Sequence, residues 1–270
     1  VGRESNQFFE NYLETYQLGE IEQYTDKAST VKLKDHFQHY LQYHVLKTEK
    51  EYSQSRARGN KNMMPLPHQI EAVYEKMLQT PQVRYLLADD PGAGKTIMSG
   101  MLIREMKARN TVRKILILVP PLVLKQWQRE LKEKFDEDFL IITREYLNSS
   151  GEINPFDIHD QVVASMYWAV RDDVKSMILN AHFDLVIVDE AHKMAAYTVG
   201  RKKRKVKRTK MFQLGENLLR HTENTLLLTA TPHKGDKENF RHLMSLIDHD
   251  IFSNLNKDDV IFEKSNPYII

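Results

Sequence analysis

Residue types suited to binding phosphate cluster in the stretch LLADDPGAGKTIMSG, residues 86–100. Its glycines allow the backbone to wrap around an anion, and N–H groups at the start of a following helix would point at that anion. A lysine would reach the β- and γ-phosphates, and a threonine hydroxyl would hold Mg²⁺. The residues concerned are Gly92, Ala93, Gly94, Lys95 and Thr96. A strict Gly-x-x-x-x-Gly-Lys-Ser/Thr pattern needs glycine at 89, where this chain has aspartate, so a chance glycine turn stays the alternative.

A pair of carboxylates follows the apolar run in DLVIVDEAH, residues 184–192. Open α/β sheets bind ligands at the carboxyl ends of their strands, and a strand that ends in Asp189 and Glu190 puts both side chains there. Asp189 is predicted to bind Mg²⁺, and Glu190 to polarise an attacking water. An acidic pair after a strand is common by itself. Downstream of a candidate phosphate loop, it predicts a nucleotide site.

A third polar cluster, Thr229, Thr231 and His233, lies in LLLTATPH, residues 226–233. Pro232 is expected to end the strand, because proline cannot donate to the ladder of a sheet. We interpret the cluster as a polar network between a nucleotide site and a nucleic-acid site. Ordinary turn residues are the alternative.

Six short apolar runs, separated by amphipathic segments of helix length, indicate the elements that position these motifs. Runs without polar alternation suit strands buried on both faces, and intervening helices suit right-handed β–α–β crossovers. The runs are 84–89, 114–120, 138–143, 161–166, 184–190 and 225–230. We therefore predict an α/β domain with a doubly wound, mostly parallel sheet and helices on both faces, preceded by a helical extension.

Composition narrows the class of protein. The 270 residues are 41% hydrophobic and 28% charged, as in soluble globular domains. The chain has no cysteine, which excludes disulfides and thiolate metal sites. Its longest apolar run, 115–124, contains two prolines and is too short to span a bilayer. We expect a cytoplasmic protein without a membrane partner.

The net charge of +2 hides a local concentration of positive charge. Residues 201–210, RKKRKVKRTK, carry eight basic side chains and no acidic one. We predict a surface loop that contacts duplex phosphates, which would make binding steeply dependent on salt. The alternatives are a solvated run of like charges and an import signal. The candidates for nucleic-acid contact are Lys202, Lys203, Arg204, Lys205, Lys207 and Arg208.

Five motifs stand in the order found in superfamily-two helicases. They are LPHQ (66–69), LADDPGAGKT (87–96), ILVPPLVLKQWQREL (117–131), DEAH (189–192) and TATPH (229–233). The second half of the third motif and the DEAHKM form resemble the Swi/Snf-type branch, and the phosphate loop resembles its bacterial, RapA-like members. The resemblance implies an N-terminal RecA-like lobe. It divides the chain into a helical extension and linker (1–62), the lobe (63–250) and the start of a linker to a second lobe (251–270).

The resemblance also implies roles for particular residues. Gln69 would recognise adenine, and Pro121 and Leu122 would approach a nucleic-acid backbone. Trp127, on the same helix, is expected in the core. His192, Thr229 and Thr231 would couple nucleotide state to movement, and ATP with Mg²⁺ would be held by Asp90, Gly92, Ala93, Gly94, Lys95, Thr96 and Asp189.

The function that the resemblance implies is ATP-driven movement along double-stranded DNA in a bacterial cytosol. A second RecA-like lobe in the same polypeptide would supply the arginine finger, so this lobe alone is expected to be nearly inactive. A strand-separating DNA or RNA helicase is one alternative. A nucleotide-dependent binding module with little catalysis is another.

Overall fold

The computed structural model describes residues 65–90, 92–149, 151, 153–199, 205–231, 237–253 and 258–270. All of them lie in the second of two compact units, Ser55–Ile270. The helical extension predicted over 1–62 lies outside the described residues. It stays a prediction, as do the boundaries of the three predicted regions.

Six parallel strands form the central sheet, in the order β1-β8-β5-β2-β4-β3. The strands are β1 (Arg84–Ala88), β2 (Ile115–Val119), β3 (Leu140–Ile141), β4 (Gln161–Ser165), β5 (Leu185–Val188) and β8 (Asn224–Thr229). Each lies where the sequence predicted a strand, so the predicted sheet is confirmed. The strand that is shortest relative to its predicted run is β3, which lies at the edge of the sheet and pairs there with β4 alone.

The strands lack polar alternation because both faces of the sheet are covered. Leu116 and Leu118 belong to a buried cluster with Leu218 of a flanking helix. Ile115 and Ile117 are equally buried, and side chains alternate along a strand, so these two face the opposite layer. Burial of both faces is what the continuous apolar runs predicted.

Helices flank the sheet in two groups. The helices are α1 (Pro67–Ile70), α2 (Lys95–Ala108), α3 (Leu124–Phe135), α4 (Arg144–Ser149), α5 (Pro155–Ile158), α6 (Met166–Ala169), α7 (Asp172–Asn180), α8 (Lys210–Leu219), α9 (Lys237–Met244), α10 (His249–Phe252) and α11 (Asp258–Ser265). In one group α2 contacts α1 and α3, and α5 to α8 form a second contacting set. α1 continues as a π-helical turn and a 3₁₀ turn, Glu71–Lys76 and Met77–Gln79. None of the described helices combines the length and the apolarity needed to cross a lipid bilayer.

A β-hairpin follows β5 and corrects the prediction of a basic surface loop. Its strands are β6 (Ala196–Val199) and β7 (Lys205–Arg208), which pair antiparallel with Tyr197 opposite Lys207. Residues 205–208 of the basic run are therefore β-strand, and Lys210 begins α8.

The last described residues pack on the sheet. A 3₁₀ turn, Asn266–Tyr268, follows α11, and Ile270 then lies beside β1. Ile270 N–H donates to the Leu86 carbonyl at 3.0 Å, and Ala88 N–H donates to the Ile270 carbonyl at 2.8 Å. The segment interpreted as the start of a linker thus covers the outer edge of β1.

Candidate functional site

The sheet topology brings the three chemical motifs to one edge. β1, β8 and β5 are neighbours, and all run in the same direction, so the segments after them meet at the carboxyl edge. Asp89 N–H donates to the Thr229 carbonyl at 3.2 Å. Asp189 N–H donates to the Leu118 carbonyl of β2 at 2.8 Å. Motifs far apart in sequence are thereby fixed to adjacent strand ends.

The phosphate loop has the backbone that its glycines predict. Gly92 and Gly94 have φ values of 93° and 89°, in the left-handed region that favours glycine. Gly94 is the residue before α2, so the loop leads directly into a helix start where N–H groups are unpaired. A Cβ at Gly94 would overlap the Gln69 side-chain amide, so the amide would have to move to admit a larger residue there.

Lys95 and Thr96 are the first two residues of α2. The Lys95 ammonium donates to the Asp89 carbonyl at 2.8 Å and to the Asp90 carbonyl at 2.9 Å. It therefore lies within the curve of the loop. Asp90 is exposed, and its carbonyl also accepts from Ala93 N–H at 3.2 Å.

Gln69 braces the phosphate loop from α1. Its Nε2 donates to the Ala93 carbonyl at 3.0 Å, and its Oε1 accepts from Leu66 N–H at 3.0 Å. His68 Nε2 lies 3.2 Å from the same Ala93 carbonyl. Gln69 is only 5% exposed. This bracing contact was missed, since nothing in the spacing of the two motifs encodes it.

Asp189 is held by two donors from different directions. The Trp127 indole N–H donates to Oδ2 at 3.1 Å, and Glu190 N–H donates to Oδ1 at 2.8 Å. Burial raises the pKa of Asp189; the two donors and the positive charge of Lys95 oppose that rise, and Glu190 adds to it.

Trp127 lies in the core, as predicted, with 3% of its surface exposed. Its contact with Asp189 was not foreseen. The two residues are far apart in sequence, and a tryptophan on an apolar helix face gives no signal of a polar partner.

Glu190 and the predicted coupling residues form a chain of contacts. Glu190 has a φ of 51°, which is uncommon for a residue with a side chain, and Glu190 Oε2 lies 3.1 Å from His192 Nδ1. His192 Nδ1 lies 3.0 Å from Thr229 Oγ1, which in turn accepts from Thr231 N–H at 3.1 Å. The structure thus brings the predicted residues together; His233 lies outside the described residues.

The nucleic-acid candidates lie on two segments. Pro121 and Leu122 belong to a 3₁₀ turn, Pro121–Val123, directly after β2, and Leu122 is 96% exposed. On β7, Lys207 and Arg208 are exposed, and Arg208 Nη1 lies 3.0 Å from Glu216 Oε2. Lys205 opens the same strand, whereas Lys202, Lys203 and Arg204 lie outside the described residues.

A family model described as the SNF2-related domain matches residues 25–265. The chain belongs to the SNF2-related family. The resemblance to Swi/Snf-type proteins, drawn from five ordered motifs, is confirmed by this match.

Bacterial proteins are among the relatives of this SNF2-related chain. YqhH of Bacillus subtilis strain 168, described as an uncharacterized ATP-dependent helicase, is 36% identical over 183 residues, which cover 68% of this chain and 29% of YqhH. The RNA polymerase-associated protein RapA of Pasteurella multocida is 31% identical over 237 residues, or 84% of this chain and 24% of RapA. The chain therefore spans about a quarter of the length of these relatives.

Solved structures of the family share the fold of this SNF2-related domain. The Sulfolobus solfataricus SWI2/SNF2 ATPase core in complex with dsDNA superposes with a TM-score of 0.61 at 19% identity, covering 77% of this chain and 44% of that one. The same core domain in another structure gives 0.56 at 20% identity, over 79% and 46% of the two chains. The predicted RecA-like, doubly wound fold is therefore confirmed.

The donor groups of this SNF2-related site fit a nucleotide with Mg²⁺. Mg²⁺ prefers hard oxygen ligands, uses one or two carboxylates and shares phosphate oxygens of its substrate. Asp189 supplies a carboxylate, and Lys95 and Thr96 supply an ammonium and a hydroxyl at the start of α2.

Proposed function

We propose that this chain is the ATP-binding lobe of an ATP-dependent translocase that moves along double-stranded DNA. The observation that carries the proposal is the convergence of the loop and the acidic turn at one sheet edge: Asp89 N–H donates to the Thr229 carbonyl, and Thr229 Oγ1 lies 3.0 Å from His192 Nδ1 of the acidic turn. A phosphate loop and an acid pair at the carboxyl edge of one sheet are what nucleotide hydrolysis requires.

The triphosphate would bind against the N–H groups from Gly92 to Thr96, with the Lys95 ammonium exchanging its carbonyl acceptors for phosphate oxygens. Thr96 and Asp189 would hold Mg²⁺, which offsets negative charge on the phosphates when bound. Gln69 keeps one amide N–H beyond its bond to Ala93, and that N–H could donate to adenine.

Glu190 would accept a hydrogen bond from the attacking water and orient it toward the γ-phosphate. In the structure its carboxylate lies beside His192, which also contacts Thr229. We infer that this chain of contacts links the state of the nucleotide to the neighbouring strand end. His192, Thr229 and Thr231 would then transmit hydrolysis to the nucleic-acid surface.

Duplex DNA is the proposed track. A structural relative carries the description of a complex with dsDNA. The turn after β2 offers the backbone N–H of exposed Leu122, and the hairpin offers the cationic groups of Lys207 and Arg208. Such groups bind phosphates without reading bases, so we expect binding that is independent of sequence. We further propose that a second RecA-like lobe of the same polypeptide supplies an arginine finger, and that the protein acts in a bacterial cytoplasm.

ATP turnover by the full-length protein tests this proposal. It should be measured at moderate salt without nucleic acid and with single-stranded DNA, duplex DNA or duplex RNA. We expect strong stimulation by duplex DNA, abolished by Lys95→Ala, and little turnover by residues 1–270 alone. Stimulation by single strands or RNA would replace the proposal with a strand-separating helicase. Turnover that is insensitive to all of them would indicate an ATPase gated by another partner, and no turnover at all would indicate a binding module.

A further inference from the structure

The indole of Trp127 is buried in the core and yet donates to the carboxylate that would hold Mg²⁺. Its Nε1 lies 3.1 Å from Asp189 Oδ2, while the other oxygen accepts from Glu190 N–H. With one donor on each oxygen, rotation of the carboxylate about its χ2 angle would break at least one hydrogen bond. A group that fixes the orientation of a ligand in this way acts outside the ligand set itself.

We propose that Trp127 is a positioning residue that holds Asp189 in the orientation required for Mg²⁺-dependent nucleotide binding. This inference rests on the proposed function, since it assumes that Asp189 is the carboxylate ligand.

The position of Trp127 on α3 makes its indole a rigid support. It is the fourth residue of α3, and its ring is almost completely removed from solvent. At the other end of the same helix, Phe135 packs so tightly on Gly100 of α2 that a Cβ at Gly100 would overlap the ring. α2 starts at Lys95, so one pair of packed helices holds both the phosphate loop and the donor to Asp189. A buried, well-packed donor loses little freedom on binding its acceptor.

Trp168 of α6 provides a matched control. Its ring packs beside Phe156, with centroids 6.2 Å apart, and its buried Nε1 has no hydrogen-bond partner among the described residues. Trp127→Phe and Trp168→Phe therefore remove the same atoms from a buried and a half-buried indole, and the Nε1 of Trp168 is itself buried. Only the first substitution removes a donor from Asp189.

The affinity of the full-length protein for a fluorescent ATP analogue, N-methylanthraniloyl-ATP, should be measured with Mg²⁺ and with EDTA. We expect Trp127→Phe to weaken the Mg²⁺-dependent affinity about 10- to 100-fold, the usual effect of losing a group that orients a metal ligand. The affinity in EDTA should stay unchanged, because the phosphate loop is intact. Trp168→Phe should leave both affinities unchanged.

A second variant covers the case in which Trp127→Phe fails to fold. Replacement of Trp127 by benzothienylalanine keeps the shape of the indole and exchanges its N–H for sulfur, so it should weaken Mg²⁺-dependent affinity without a loss of packing. Wild-type affinity in that variant, or equal losses in the two phenylalanine variants, would overturn the inference. Lys95→Ala separates this failure from that of the proposed function. If Lys95→Ala also binds like the wild type, the nucleotide site itself is wrong.

Discussion

Polar side chains have different roles at the two edges of the sheet. At the amino edge, buried polar groups bind the backbone of several segments and tie them together. At the carboxyl edge the polar groups belong to the candidate site: Gly92, Gly94 and Glu190 have left-handed backbones there, as Asn110 and Asp136 do elsewhere, and the Asp189 carboxylate accepts from Trp127 and from Glu190 N–H. Left-handed backbone at a residue with a side chain costs about 1–3 kcal/mol. The amino edge therefore stabilises the fold, and the carboxyl edge uses part of that stability to preorganise a site.

Arg84 is the centre of the amino edge. Burial lowers the pKa of its guanidinium, and Asp248 partly offsets this effect. The guanidinium donates to the carbonyls that end two helices, where the helix dipole favours a cation. These carbonyls belong to Leu219 (3.1 Å), Thr222 (2.7 Å), Leu246 (3.1 Å) and Ile247 (2.6 Å).

Asp184 and Asn224 extend this arrangement to the centre of the sheet. Asp184 Oδ2 accepts from Arg113 N–H and Lys114 N–H, each at 2.8 Å. The Asn224 side chain accepts from Val83 N–H at 2.9 Å and donates to the Asp184 carbonyl at 3.0 Å. A cavity of about 460 Å³ also opens at this edge, beside Arg84. Its lining does not include the loop or the acidic turn, so the cavity is separate from the site.

Glu190→Gln should have the largest effect of the variants considered, and this effect should be limited to catalysis. Loss of a general base lowers turnover by about 10²- to 10⁴-fold, while ATP remains bound because the phosphate loop is unchanged. The melting temperature should stay close to that of the wild type. Glu223→Gln, an exposed glutamate at the amino edge, is the control and should keep full turnover. Unimpaired turnover in Glu190→Gln would remove this residue from the mechanism.

Arg84→Met should lower the stability of the fold and leave the nucleotide site unchanged. It keeps the apolar stem but leaves several carbonyls without their charged donor, which should lower the free energy of unfolding by about 3 kcal/mol. Nucleotide affinity below the melting transition should not change. Arg113→Met is the control, because its side chain is 84% exposed and its ion pair with Asp160 is worth little. Chemical denaturation of both variants measures the difference, and equal stabilities would contradict the assigned role of the amino edge.

A comparison of Gly94→Ala with Gly92→Ala tests the contact between Gln69 and the phosphate loop. Both substitutions place a side chain at positive φ and should cost about 1–2 kcal/mol of stability. Only the alanine at 94 meets the Gln69 amide; at 92 the new Cβ has no heavy atom within 4 Å. Isothermal titration should therefore show weaker ATP binding for Gly94→Ala. Equal affinities in the two variants would mean that Gln69 does not support the loop.

Lys207→Gln should have the smallest effect and leave both edges intact. Removing one cation that binds a phosphate should reduce the slope of log affinity against log salt by about 0.9 for duplex DNA. Arg220→Gln, an exposed residue just beyond α8, is the matched loss of one charge far from the proposed track. Fluorescence anisotropy over a salt series gives both slopes. A slope unchanged in Lys207→Gln would exclude this lysine from DNA binding.

The sequence predicts the fold well where local pattern decides it. The continuous apolar runs around Ile117 and Ile187 became central strands because both faces of the sheet are buried. Strand β7 was missed because Lys205 and Lys207 have low strand preference and their pairing depends on β6. The donation from Trp127 to Asp189 could not be predicted, because it depends on how α3 packs across the sheet.

Hydrogen exchange of the full-length protein, with and without Mg²⁺ and a non-hydrolysable ATP analogue, is the most direct test of the different roles of the two edges. It shows whether the nucleotide binds at the carboxyl edge and leaves the amino edge unchanged. Amide protection reports which segments a ligand stabilises. We expect new protection at 89–97 and 189–193, and none at 219–224 or 246–248. Protection centred on the amino edge beside Arg84, with the phosphate loop unchanged, would contradict it.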